Sequence, residues 1–357
     1  MSQPEFLIIA DGAFGPETSK TANSAIRYMQ DRVVAVLDSH AKGRTSQDVL
    51  GFGGAIPVVK TMAEGLAKNP TAVLIGIAPM GGKLPDEWRA WVLTALDRGL
   101  DIWSGLHTYL GDDPAFAARA RAKGAQLRDL RRPPAVLPVS DGRARGVDAL
   151  VVLTVGSDCN VGKMTAQLQL VADLKARGLR TRFAATGQTG ILIEGWGTTV
   201  DAVVADFIGG AAEQLVLEAA KGADVVLVEG QGSLIHPGYS GVTLGLLHGS
   251  APRAMILCHQ SSRTHIGDYS GREAWVRIPP LKDLVRIYED AAAPVQTSKV
   301  IGIALNTYDL SEADAKRAIA DAEQTTGLPA SDPVRFPSAP LVDAVAKAHA
   351  VWKNARA

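Results

Sequence analysis

Short apolar runs alternate along this chain with stretches whose apolar residues recur at helical spacing. FLIIAD (Phe6 to Asp11), VVAVLD (Val33 to Asp38) and AVLIGIA (Ala72 to Ala78) are nearly unbroken and rich in branched residues, the pattern of strands buried on both faces. Between them the spacing predicts helices around Ser19 to Gln30 and Pro57 to Lys68. In DEWRAWVLTALDRG, Trp88, Trp91, Val92 and Ala95 fall on one helix face. A strand near Leu100 to Trp103 and a helix from Pro114 to Lys123 continue the alternation, so residues 1–135 read as a small Rossmann-like unit. RRPPAVLPVSDGRARG, residues 131–146, holds three prolines and no hydrophobic period, and is expected to be a linker. The alternation resumes with DALVVLTV (Asp148 to Val155), RTRFAAT, ADVVLVEG, RAMILCH and KVIGIALNT. The expected class is α/β throughout, with a second domain over 147–357 built on a mostly parallel sheet.

Composition narrows the function. With 37 basic and 37 acidic residues the formal charge is zero, without the basic surplus that a nucleic-acid partner would call for. No run of 18 apolar residues exists to span a membrane. The N-terminus MSQPEFLIIADG has no basic region ahead of a long apolar stretch, so a cytoplasmic location is expected. Cys159 and Cys258 are the only cysteines and form no CxxC pair, which speaks against a disulfide scaffold or a zinc site built on thiolates. No metal site is expected.

The most specific motif is VVLTVGSDCNVGKMT, Val151 to Thr165. A strand runs into a loop bounded by Gly156 and Gly162, and Lys163 opens a helix. A helix start leaves several N–H groups without internal partners, all facing an approaching anion. Glycines let a phosphate come close to backbone atoms, and the lysine adds a point charge. Gly156, Ser157, Asp158, Cys159, Asn160, Val161, Gly162, Lys163, Met164 and Thr165 are therefore the expected phosphate-binding residues. The motif departs from G-x-x-x-x-G-K-[ST] in two ways. Five residues, not four, separate the glycines. Met164 replaces the residue whose hydroxyl would hold Mg²⁺, and a thioether is a poor ligand for so hard a cation. Thr165, about 100° further round the helix, cannot simply take over. The loop is thus suited to holding a pyrophosphate more than to cleaving a nucleoside triphosphate. Cys159 sits where a helix N-terminus favours a thiolate. An acyl-cysteine is one reading of it, and a small residue tolerated in a tight loop is the plainer one.

Acid–base candidates follow other strand ends, where ligands of open α/β sheets bind. Glu229 ends ADVVLVEG, and GQGSLIHPGYSG after it brings His236. AATGQTGILIEGWGTTVDAVVADFIGG, with Gln188, reads as an active-site loop over the phosphates. CHQSSRTHIGDYSG offers His259, Arg263, His265 and Asp268. In the first domain Gly81, Gly82, Lys83 and His107 follow strands as well.

Taken together, GSDCNVGKMT, TGQTGILIEGWG, DFIGGAAE, VEGQGSLIHPGYSGVTLGLLHG and APMGGKLPDEWR resemble a bacterial P-loop family, the DgcN-type D-glutamate N-acetyltransferases. The resemblance implies a Rossmann-like N-terminal domain and a P-loop domain akin to dethiobiotin synthetase. It also implies acetyl-CoA as donor and the amino group of D-glutamate as acceptor. On that basis the P-loop would hold the CoA pyrophosphate, and Glu229 or His236 would deprotonate the amine. Gln188 would steady the oxyanion, and Arg263 or the Arg131–Arg132 pair would meet the substrate carboxylates. The alternatives are an ATP- and Mg²⁺-dependent ligase of the dethiobiotin-synthetase type, or a nucleotide-switched regulator. A small amino acid is the expected partner, with neither nucleic acid nor membrane, and a closed homo-oligomer is plausible.

Overall fold

The structure is a computed structural model that describes residues 3–16, 18–41, 43–77, 82–267 and 276–356. The chain forms two compact units, residues 1–132 with Ile191–Gly195, and residues 133–190 with 196–357.

The first unit is a six-stranded sheet of β1 (Phe6–Ile9), β2 (Val33–Leu37), β3 (Val58–Val59), β4 (Ala72–Ile75), β5 (Asp101–Ser104) and β6 (Leu127–Asp129). The order is β3-β2-β1-β4-β5-β6 and every ladder is parallel. Parallel neighbours need a long crossover, which here is mostly a helix. All four residues of β1 and of β4 are buried, as expected of strands covered on both faces. Pro57–Lys68 departs from the expected helix. Val58 and Val59 pair with Val36 and Leu37 as an edge strand, and only Met62–Leu66 is helical, capped by Thr61 through the N–H of Glu64.

The second unit holds β7 (Leu150–Gly156), β8 (Thr181–Ala184), β9 (Val225–Val228), β10 (Ala254–Gln260), β11 (Lys299–Asn306) and β12 (Ala330–Ser331). Its order is β12-β11-β10-β7-β9-β8, again wholly parallel. After β7 the chain moves to the β8 edge, returns through β9, and crosses to β10 on the other side of β7. The carboxyl ends of β7, β9 and β10 therefore converge at the point where the winding reverses, the usual crevice for a ligand.

Two expectations change in this unit. The stretch after β8 is largely helical and not a loop, with helices at Gln188–Glu194 and Ala205–Ala219. The glycines that suggested a loop instead allow close packing. A Cβ on Gly249 would lie 2.1 Å from the carbonyl oxygen of Gly209, where the helices Ala205–Ala219 and Ser240–Ser250 meet. The proline-rich stretch is also anchored in its second half. Glu213, fully buried, accepts from Ser140 Oγ and the N–H of Asp141, and pairs with Arg143.

A candidate phosphate-binding site

β7 delivers Gly156 to the sheet edge, and Ser157–Val161 form the loop. Gly162 has φ +101°, a conformation that side chains rarely adopt, and starts the helix Lys163–Ala176, which has no side-chain cap. Its first N–H groups therefore face the loop, with the positive end of the helix dipole behind them. Lys163 is buried and donates from Nζ to the carbonyl of Asp158 at 2.7 Å. Met164 is 7% exposed, so a thioether packed into the protein stands where a metal-binding hydroxyl would be. The residues fit a phosphate group and lack the usual Mg²⁺ ligand.

Neighbouring elements lock the loop in place. The hydroxyl of Tyr288, on the helix Leu281–Ala292, donates to the carbonyl of Gly156 at 2.7 Å and accepts from the N–H of Leu234 at 3.1 Å. Burial pushes that phenol above its ordinary pKa. Gly230 has no room for a side chain, since a Cβ would lie 1.7 Å from the carbonyl oxygen of Thr154. His259, one residue before the end of β10, meets Ser157 Oγ through Nδ1 at 2.8 Å. Burial, and then the nearby Arg263 charge, hold its pKa down at about 4, so it is neutral at pH 7. Tyr288 is the residue that sequence reasoning missed; one aromatic in an amphipathic helix carries no signal of where its hydroxyl ends.

Asp158 is fully buried. One carboxylate oxygen accepts from the N–H of Cys159 at 2.6 Å. The other accepts from Arg263 at 2.8 Å and from the N–H of Gly267 at 2.6 Å. Arg263 also donates to the Cys159 carbonyl and to Gln260. This arginine, expected to meet a substrate carboxylate, braces the phosphate loop. His236 stands at the same loop: ligand atoms of Asp158, Cys159 and His236 all lie within 4.8 Å of one another. The His236 ring packs on Tyr239 at 4.5 Å between centroids, and its Nδ1 accepts from the N–H of Gly238 at 3.0 Å.

Glu229 is 4% exposed, and one carboxylate oxygen accepts from the N–H groups of Thr186 and Gly187 at 2.9 and 3.0 Å. It thereby caps the helix that begins at Gln188, where a negative charge is favoured. A Cβ on Gly190 would come within 2.5 Å of that carboxylate. Glu229 and Gln188 are thus brought together, the first as the anchor of the segment carrying the second. Arg131 and Arg132 belong to the first unit. Arg132 pairs with Asp112 and Asp129 and stacks on Tyr109, while Arg131 is buried. In that unit His107 donates its backbone N–H to the carbonyl of Gly82. Gly81 and Asp268 lie outside the described residues.

Fold and site define a two-unit α/β protein, one half Rossmann-like and the other built on a phosphate loop. The chain belongs to the DUF1611 family: residues 138–342 match its C-terminal P-loop domain of unknown function, and residues 39–133 its N-terminal Rossmann-like domain. It is 41% identical over 317 residues to a D-glutamate N-acetyltransferase of Tritonibacter scottomollicae, covering 86% of this chain and 90% of that one. A protein of the same name from a Pseudoalteromonas species is 37% identical over 276 residues, covering 77% and 81%. The crystal structure of a DUF1611 family protein from Anabaena variabilis superposes with a TM-score of 0.91 at 40% identity, over 97% of this chain and all of that one. The chain is accordingly an enzyme of the acyltransferase class. Among the described residues no helix is long and apolar enough to cross a membrane.

Proposed function

We propose that this enzyme transfers the acetyl group of acetyl-CoA to the amino group of D-glutamate, with the CoA pyrophosphate held by Gly156–Thr165. The observation that carries the reading is the buried Met164 directly after the Gly162–Lys163 pair of the phosphate loop. Such a loop grips a pyrophosphate without the hydroxyl that Mg²⁺-assisted phosphoryl transfer relies on. The names of the relatives supply the acetyl group and its D-glutamate acceptor; acetyl-CoA as the donor is part of the proposal.

Acetyl-CoA, when bound, supplies an acyl group already activated as a thioester. Backbone N–H groups of the loop and Lys163 bind its phosphates, and Arg263 keeps the loop in shape through Asp158. Of the two groups suggested as base, Glu229 is committed to a helix start, which favours His236 for taking the ammonium proton. Gln188, held at the first position of its helix by the Glu229 cap, is the side chain proposed to steady the tetrahedral oxyanion.

The test is to incubate the protein with acetyl-CoA and either enantiomer of glutamate, without ATP, and follow free thiol together with the N-acetyl product by mass. Product with D-glutamate supports the proposal. No product overturns it, and product that forms only with ATP and Mg²⁺ replaces it with the ligase reading.

A further inference from the structure

Three side chains that metals favour meet at the phosphate loop although the sequence separates them. Asp158 and Cys159 come from the loop after β7, and His236 from the loop after β9. Their ligand atoms lie within 4.8 Å of one another. A tetrahedral ion bound at ~2.0–2.3 Å to such atoms would hold them roughly 3.5 Å apart, so closing on an ion needs shifts of about an ångström. We propose that Asp158, Cys159 and His236 bind a divalent cation of the zinc type, leaving one position for water or a ligand oxygen.

The surroundings prepare the ligands for that role. Arg263 and the N–H groups of Cys159 and Gly267 fix the Asp158 carboxylate, and a carboxylate held in this way still has lone pairs to give. Tyr239 supports the His236 ring. Whichever imidazole nitrogen binds the ion, the Gly238 N–H loses Nδ1 as its acceptor, a local bond that water can replace at this exposed turn. Thiolate and imidazole select zinc over magnesium, the reverse of the choice that the missing hydroxyl at Met164 would have served. The second cluster of this kind, Asp11, Asp38 and His40, differs. It offers no thiolate, and its His40 side chain is largely exposed. One consequence rests on the functional reading above: an imidazole bound to a cation cannot take a proton, so the ion and acetyl transfer compete for His236.

Cobalt serves as the probe, because its spectrum reports the ligands whatever the enzyme's activity. Chelator-stripped full-length protein titrated with Co²⁺ is expected to bind one equivalent, with tetrahedral d–d bands and a thiolate-to-cobalt charge-transfer band. Zinc should displace it and magnesium should not. Cys159→Ser should abolish the charge-transfer band and weaken zinc binding by more than ~100-fold, while Cys258→Ala keeps both. Circular dichroism of each variant verifies that it is folded. Absence of the charge-transfer band from the unmodified protein, or its survival in folded Cys159→Ser, overturns the proposal. A protein that binds cobalt in this way yet shows no acetyl transfer leaves the site standing and refutes the function alone.

Discussion

Replacing Tyr288 by Phe removes one oxygen atom and keeps the ring that fills the core. The hydroxyl is wholly buried, donating to Gly156 and accepting from Leu234. Its loss leaves the buried Gly156 carbonyl and the partly buried Leu234 N–H without that partner, the second at the low end of the cost. Each such orphan costs about 1–3 kcal/mol, and a cavity of one oxygen gives water little room to substitute. The expected destabilisation of the second unit is therefore ~2–4 kcal/mol, read as a lower urea midpoint at unchanged slope. The corresponding fall in Tm is roughly 5–15 °C. Because the carbonyl belongs to the residue that opens the phosphate loop, KM for acetyl-CoA should rise more than kcat falls. A stability loss under ~0.5 kcal/mol would show that the hydroxyl is not the pin described here.

Three further outcomes follow from the site. Glu229→Gln should lower stability by about 1.5–3 kcal/mol, because charge-assisted bonds to two N–H groups become neutral ones; unchanged denaturation with a collapsed kcat would instead make Glu229 the base. His259, with its pKa held at about 4 against the ordinary 6.5, must be charged once the chain unfolds in acid. Its contribution is thus intact above about pH 6.5 and is lost progressively towards pH 4, a total of up to ~3 kcal/mol. Urea titrations across that range should show a shallower acid decline for His259→Gln. Zinc added to the working enzyme should slow acetyl transfer and a chelator should restore it, whereas an increase in rate would remove His236 as the proton acceptor.

Periodicity made the long buried strands visible, since Phe6–Ile9 or Val225–Val228 can be little else. It did not show β3 and β12, which are two residues long and exist only because a neighbouring edge offers hydrogen bonds. The phosphate loop was legible for a local reason: glycines, lysine and helix start are contiguous. Side-chain roles that depend on distant partners were not. Gly187 and Gly190 suggested an active-site loop, yet Gly190 makes room for Glu229 and Gly187 for Gln231. Arg263 looked free for a substrate, yet Asp158, far back in the chain, takes it. A charge in a sequence announces that it needs a partner, and only the fold says which.

The grip of Glu213 on Ser140, Asp141 and Arg143 changes where the chain can be cut. Gly210 adds to it, since any Cβ there would lie 1.7 Å from the carbonyl oxygen of Pro138. A protease needs several residues of backbone that can leave the surface and extend. The basic residues Arg143 and Arg145, which look from the sequence like trypsin sites in an open tether, sit in a stretch whose backbone is tied down. Val136, 87% exposed, lies just ahead of that clamp, so an enzyme that cuts beside aliphatic residues would find the joint that trypsin does not.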